Sequence, residues 1–186
     1  MAYLKFVPNK YLTSNDVKAL LNYCISPDRN PYYTSSIAHN SYDEIEYYTF
    51  NFCYPHFYHH KQGKTICYHY VLSFDLNNEI SRLEKLSLDS LFCYLGTMPE
   101  VKGLNLFFSV HRTKYGLPKH IHILVSSTNP DSGKSAFINF ECLKYQIGEI
   151  LADFNIALAG YSYCTANGYI NRGNYSPENL YLENFL

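Results

Sequence analysis

The residues best suited to chemistry in this sequence are three histidines that its pattern brings together. His120 and His122 are two positions apart in an apolar stretch typical of a β-strand, so both imidazoles project from one face. His111 ends the preceding predicted strand, and a short connection (residues 112–119) lets the two strands pair as an antiparallel hairpin. His111 is then expected beside the pair. Three neutral imidazoles on one wall are typical of a transition-metal site that keeps open positions for water or a phosphate oxygen.

Basic residues surround this hairpin. Residues 101–130 contain no Asp or Glu, and their basic residues are Lys102, Arg112, Lys114 and Lys119. A basic rim beside a metal favours a phosphate-bearing partner. The alternatives are an exposed polar strand face for the histidines and a solvated hairpin tip for the cations.

At this point the sequence resembles a known family. The stretch 110–126, with its three histidines, is similar to the His motif of plasmid mobilisation relaxases, the metal-dependent HUH single-strand endonucleases. The strand at 68–74 resembles the one that precedes this motif in many Gram-positive members. The stretch 20–29 resembles their first motif, in which a helix carries the nucleophilic tyrosine. The three stretches occur in the family's order, and the resemblance extends over most of residues 1–160.

The resemblance implies a reaction as well as a fold. Tyr23 would be the catalytic nucleophile, and the three histidines would bind one divalent ion, Mg²⁺ or Mn²⁺. The tyrosine would take the 5′-phosphate of nicked single-stranded DNA and release a 3′-OH. Tyr32 and Tyr33, just past the first helix, are alternative nucleophiles. Arg29 is expected to contact DNA together with Arg112, Lys114 and Lys119.

The implied partners are single-stranded DNA at an origin of transfer and accessory mobilisation proteins, as in plasmid conjugation. Two alternatives stay open: a non-catalytic nucleic-acid-binding module on the same fold, and a phosphodiesterase that uses metal-activated water. Asp75 and Glu79 are candidates to orient a metal-bound histidine or to act as a base, with an exposed helix cap as their ordinary interpretation. For His69 two interpretations stay open, a residue that lines the DNA channel and a satisfied sheet histidine. Whether any of the three assists catalysis stays open.

Hydrophobic periodicity predicts the elements that must position these residues. Strands are expected near 3–7, 66–75, 104–111, 120–126 and 161–164, the last followed by a hairpin turn at 167–168, and helices near 15–25, 79–95 and 139–154. The segment 28–65 is the least regular part, with residues 43–46 a candidate start of a short helix. Because strands joined by short connections are antiparallel, the prediction is an α+β fold with a central, mainly antiparallel sheet. The helices are expected to pack on one face, leaving the histidines on the open face. We expect a single relaxase-like domain over 1–186, with 161–186 a peripheral segment.

Composition limits the remaining classes of protein. The chain has 186 residues, 47% of them hydrophobic, and a net charge of −1, which argues against coating nucleic acid by bulk charge. No apolar run is long enough to span a membrane, and the first residues lack a hydrophobic signal core. The six cysteines include no Cys-x-x-Cys pair. We therefore expect a cytoplasmic protein with reduced thiols and no membrane partner.

Overall fold

The computed structural model describes residues 2–8, 10–26, 32–37, 43–74, 88–99, 101–112, 118–136, 138–165 and 168–173. The strands in these ranges are β1 (Ala2–Val7), β2 (Tyr32–Ser35), β3 (Cys67–Phe74), β4 (Leu106–Arg112), β5 (Pro118–Ser126), β6 (Leu158–Thr165) and β7 (Gly168–Gly173). The helices in these ranges are α1 (Ser14–Ile25), α2 (Glu44–Tyr58), α3 (Leu88–Gly96) and α4 (Phe140–Asp153).

The strands form one mixed sheet in the order β2-β4-β5-β3-β1-β6-β7. Every neighbouring pair is antiparallel except β1 and β6, which run parallel. The predicted α+β class and mainly antiparallel sheet are therefore confirmed. The expected pairing of β4 with β5 is also confirmed, and β3 occupies the centre of the sheet beside β5.

Helices cover both faces of the sheet, so the prediction that they pack on one face is wrong. Ile121 and Ile123 of β5 join α3 and α4 in the larger core. Leu124 of β5 and Phe107 of β4 project to the other face and join α1 and α2 in a second core. The histidine-bearing face is apolar at these last two positions, and an amphipathic helix needs such a surface to bury its apolar stripe. α1 and α2 therefore lie on the face that carries the histidines.

α1 is held by a capping box and an apolar stripe. The Thr13 hydroxyl accepts from the backbone N–H of Asp16 at 3.2 Å, and the Asp16 carboxylate accepts from the Thr13 N–H at 2.8 Å. The helix ends ahead of Pro27, because the residue before a proline avoids helical backbone. Its buried residues are Val17, Leu20, Leu21 and Cys24.

The segment 28–65, predicted to be the least regular part, contains β2 and α2, and α2 starts at the candidate helix start 43–46 but is longer than the short helix expected. α2 begins at its N-cap Asp43, whose side chain accepts from the Glu46 N–H, and it continues through Pro55. Its apolar periodicity is weak because large aromatics lie on its exposed face as well as in the core. The exposed ones are Phe50, Tyr54, Phe57 and Tyr58.

The C-terminal region adds an edge to the sheet. β6 pairs with β1, and β7 pairs with β6, so residues 158–165 and 168–173 continue the sheet, where a short strand near 161–164 and a turn at 167–168 were expected. The first part of the predicted helix 79–95, with Asp75 and Glu79 beside it, lies outside the described residues. None of the described helices has the length and apolar character needed to cross a membrane.

Candidate metal centre

The three predicted histidines lie together on neighbouring strands. His111 of β4 is paired with His120 of β5, and His122 follows two residues later on the same face. Nδ1 of His111 is 3.0 Å from Nε2 of His120 and 3.3 Å from Nε2 of His122. The expectation that the rings share one face, close enough to share an ion, is therefore confirmed.

Two of the separations between these nitrogens fit a shared divalent ion, and all three ligand nitrogens lie within 4.8 Å of one another. An ion about 2.1 Å from each of three imidazole nitrogens holds them about 3.0 to 3.4 Å apart, depending on its geometry. The ring nitrogens offered by the three histidines form a candidate metal-binding group. His111 and His122 are buried, with exposures of 2% and 0%, whereas His120 is partly exposed. His120 is therefore the least buried of the three rings.

The C-terminal end of α1 fixes the His111 ring. Nε2 of His111 lies 3.1 Å from the carbonyl oxygen of Cys24, which can only accept, so Nε2 carries the proton. Nδ1 is then unprotonated and faces the other two histidines, as a metal ligand must. The Ser109 hydroxyl donates to the same carbonyl at 2.6 Å. These two contacts join α1 to β4 directly beside the centre.

His69 of β3 contacts the other side of the His122 ring. Nε2 of His69 lies 2.8 Å from Nδ1 of His122, and Nδ1 of His69 lies 2.9 Å from the Tyr11 hydroxyl. His69 is buried, and burial lowers its pKa to about 3, so the ring is neutral. Of the two interpretations left open for His69, the structure favours the satisfied sheet histidine, since both ring nitrogens have partners. The sequence did not indicate that one of these partners is His122.

Tyr23, the predicted nucleophile, contacts the same group. Its ring packs edge-on against His111 and His122, with centroid separations of 5.2 Å and 5.3 Å. Tyr23 precedes Cys24 in the last turn of α1 and is only partly buried. Its place beside the buried Cys24 in α1 thus brings this ring to two of the three histidines.

Of the two alternative nucleophiles, Tyr33 is the less suitable because of its contacts. Tyr33 donates its hydroxyl to the Glu44 carboxylate and stacks on Phe107, with ring centroids 5.8 Å apart. Burial and the Glu44 charge raise the pKa of Tyr33 above its ordinary value, which opposes formation of a phenolate. Tyr32 pairs through its backbone with Val110 of β4.

Of the four residues predicted to contact DNA, the structure describes the backbone of two. Arg112 follows His111 in β4, and Lys119 precedes His120 in β5, so their backbones flank the centre. Arg29 and Lys114 lie outside the described residues.

Lys5 is a basic residue that the sequence interpretation missed. It pairs with Val71 of β3, which in turn pairs with His122, so Lys5 lies on the histidine face two strands from the centre. It is half-buried, and burial lowers its pKa. Within the described ranges it has no carboxylate partner. The position of Lys5 on this face could not be predicted from the sequence, because it depends on the pairing of β1 with β3.

Comparisons with protein-family models, curated proteins and solved structures found no match for this chain. The relaxase resemblance therefore stays a prediction from three sequence stretches. The geometry of the histidine centre and its tyrosine carries the functional inference.

Proposed function

We propose that this protein is a metal-dependent nuclease that nicks single-stranded DNA and transfers the strand through Tyr23. One observation carries the proposal: the Tyr23 ring packs against two of three histidines whose candidate ligand nitrogens lie within 4.8 Å of one another. A phenol beside a metal-binding group provides the nucleophile and the electrophilic activation that phosphodiester transesterification needs.

The three histidines would hold one Mg²⁺ or Mn²⁺, and a bound ion would supply Lewis-acid polarisation of a phosphodiester and charge compensation during attack. The rest of the chemistry belongs to the chain. A phenol has an ordinary pKa of about 10, so Tyr23 must lose its proton as it attacks. The tyrosine oxygen bonds to phosphorus, the bond from phosphorus to the 3′ oxygen breaks, and that oxygen gains a proton. Tyr23 then carries the 5′-phosphate, and attack by a 3′-OH reverses the step.

Positive charge near the centre supports a phosphate-bearing substrate. Lys5 lies on the histidine face without a carboxylate partner in the described part of the chain. Because the whole chain has a net charge of −1, binding depends on such local charges and on salt. The substrate we propose is a single strand at an origin of transfer, in the cytoplasm, with accessory mobilisation proteins as further partners.

The test is a cleavage assay with a pool of short single-stranded DNAs labelled at their 3′ ends, in Mn²⁺ or Mg²⁺. The labelled product should migrate as a covalent protein adduct on a denaturing gel. Tyr23→Phe should abolish both the adduct and cleavage while leaving DNA binding intact, because it removes one oxygen. Tyr33→Phe is the matched control and should cleave normally.

Two outcomes would overturn the proposal. Metal-dependent cleavage by Tyr23→Phe, with a free 5′-phosphate on the product, would identify water as the nucleophile. Binding of the pool by the wild-type protein without any cleavage would identify a non-catalytic module.

A further inference from the structure

A buried chain of hydrogen bonds leads away from the histidine centre. It runs from Nδ1 of His122 to Nε2 of His69 at 2.8 Å, and from Nδ1 of His69 to the Tyr11 hydroxyl at 2.9 Å. His69 and Tyr11 have exposures of 1% and 8%. Neither side chain takes part in the chemistry proposed above.

We infer that His69 and Tyr11 are positioning residues that form a reversible relay, which sets the tautomer of His122. The inference rests on the proposed metal-dependent function. To bind an ion, Nε2 of His122 must be unprotonated, so a neutral ring carries its proton on Nδ1. That proton is donated to Nε2 of His69. His69 then carries its own proton on Nδ1 and donates it to the Tyr11 oxygen.

Without an ion the same atoms support the opposite direction. Tyr11 donates to Nδ1 of His69, Nε2 of His69 donates to Nδ1 of His122, and Nε2 of His122 donates to Nδ1 of His111 at 3.3 Å. Each group keeps one proton in both arrangements, so the switch changes no net charge. Nδ1 of His111 is unprotonated and can accept, because the ring carries its proton on Nε2, which donates it to the Cys24 carbonyl. Its one lone pair lies between Nε2 of His122 and Nε2 of His120, which is 3.0 Å away.

The chemistry of the partner explains why the relay is reversible. A carboxylate at the far end could only accept, which would fix one direction. A phenol hydroxyl both donates and accepts, so Tyr11 satisfies His69 in either arrangement. The relay also adds no negative charge to the centre, which leaves the full charge of a bound ion available to a phosphate.

The tests measure metal binding and tautomers and need no DNA. Titration of metal-free protein with Mn²⁺ should show that His69→Leu, which removes the acceptor for His122, binds about 10- to 100-fold more weakly. His69→Gln should stay close to wild type, because its amide oxygen can accept in the same place. Tyr11→Phe should weaken binding about 10-fold, since the His69 proton then loses its acceptor.

Tyr70→Phe is the matched control, because Tyr70 is a buried tyrosine on the opposite face of β3. It should bind Mn²⁺ like wild type, and thermal melts confirm that each variant is folded. In ¹⁵N spectra of the histidine rings, added Mg²⁺ should move the His69 proton from Nε2 to Nδ1.

An unchanged His69 tautomer, or wild-type Mn²⁺ affinity in both His69→Leu and Tyr11→Phe, would overturn the relay. Failure to bind either metal would overturn the relay together with the proposed metal centre. Normal relay behaviour in a protein that does not cleave DNA would instead overturn only the nuclease proposal.

Discussion

Acid should destabilise the metal-free protein through His69 in particular. Its pKa in the folded protein is about 3, against an ordinary value of 6.5, because burial disfavours the charged ring. The unfolded chain therefore binds a proton below pH 6.5 that the folded chain does not. Because the unfolded state binds more protons, stability falls as pH drops through the window from 6.5 to 3.

The size of this effect follows from the two pKa values. Well below the ordinary pKa, the free energy of unfolding falls by about 1.4 kcal/mol per pH unit for each histidine that folding keeps neutral. Between pH 6.5 and 4.5, His69 therefore lowers the free energy of unfolding by about 2 kcal/mol in total. Burial also lowers the pKa of His56, which contributes in the same direction. Because His56 is present in both proteins, its contribution cancels when a His69 variant is compared with the wild type.

The assay is urea unfolding, followed by circular dichroism, at several pH values between 6.5 and 4.5 with EDTA present. His69→Gln removes the titrating group and keeps a hydrogen-bond acceptor, so its stability should fall about 2 kcal/mol less than that of wild type over this range. His60→Asn, at an exposed position, should follow wild type. Parallel curves for wild type and His69→Gln would refute the assignment of a buried, neutral His69.

Three further predictions concern the centre and its support. His122→Ala should weaken Mn²⁺ binding at least about 100-fold by calorimetry, since it removes a ligand rather than a ligand's partner. Lys5→Met should weaken binding of single-stranded DNA at low salt and reduce the salt slope by about one, if Lys5 neutralises a phosphate. Phe108→Ala should destabilise the fold by about 3–5 kcal/mol in urea, because its ring is fully buried. It should leave Mn²⁺ affinity unchanged, since Phe108 faces α3.

Local sequence patterns were sufficient to predict the histidine centre. The alternation of β5 puts His120 and His122 on one face, and the short connection brings His111 beside them. The helical stripe of α1 likewise leaves Tyr23 at an edge, where it contacts two of the rings. These features depend on spacing within an element or across one hairpin.

The partners of the centre could not be predicted in this way. His69 approaches His122 only because β3 pairs with β5 in one register, and Lys5 shares that face only because β1 pairs with β3. Tyr11 contacts His69 across 58 positions of sequence. Long-range pairing leaves no periodic signal in a single sequence, and it also decides which helices cover which face.

The central claim is that Tyr23 becomes covalently attached to DNA, and peptide mass analysis tests it most directly. After reaction with single-stranded DNA and Mn²⁺, nuclease trimming and trypsin digestion should release residues 19–29, in which Tyr23 is the only tyrosine. We expect this peptide to carry a nucleotide joined to Tyr23 through its 5′-phosphate. The alternative tyrosines, Tyr32 and Tyr33, fall in the next tryptic peptide, 30–61. Cleavage of the DNA with the nucleotide attached to peptide 30–61, or with no nucleotide attached to any peptide, would contradict the assignment of Tyr23 as the nucleophile.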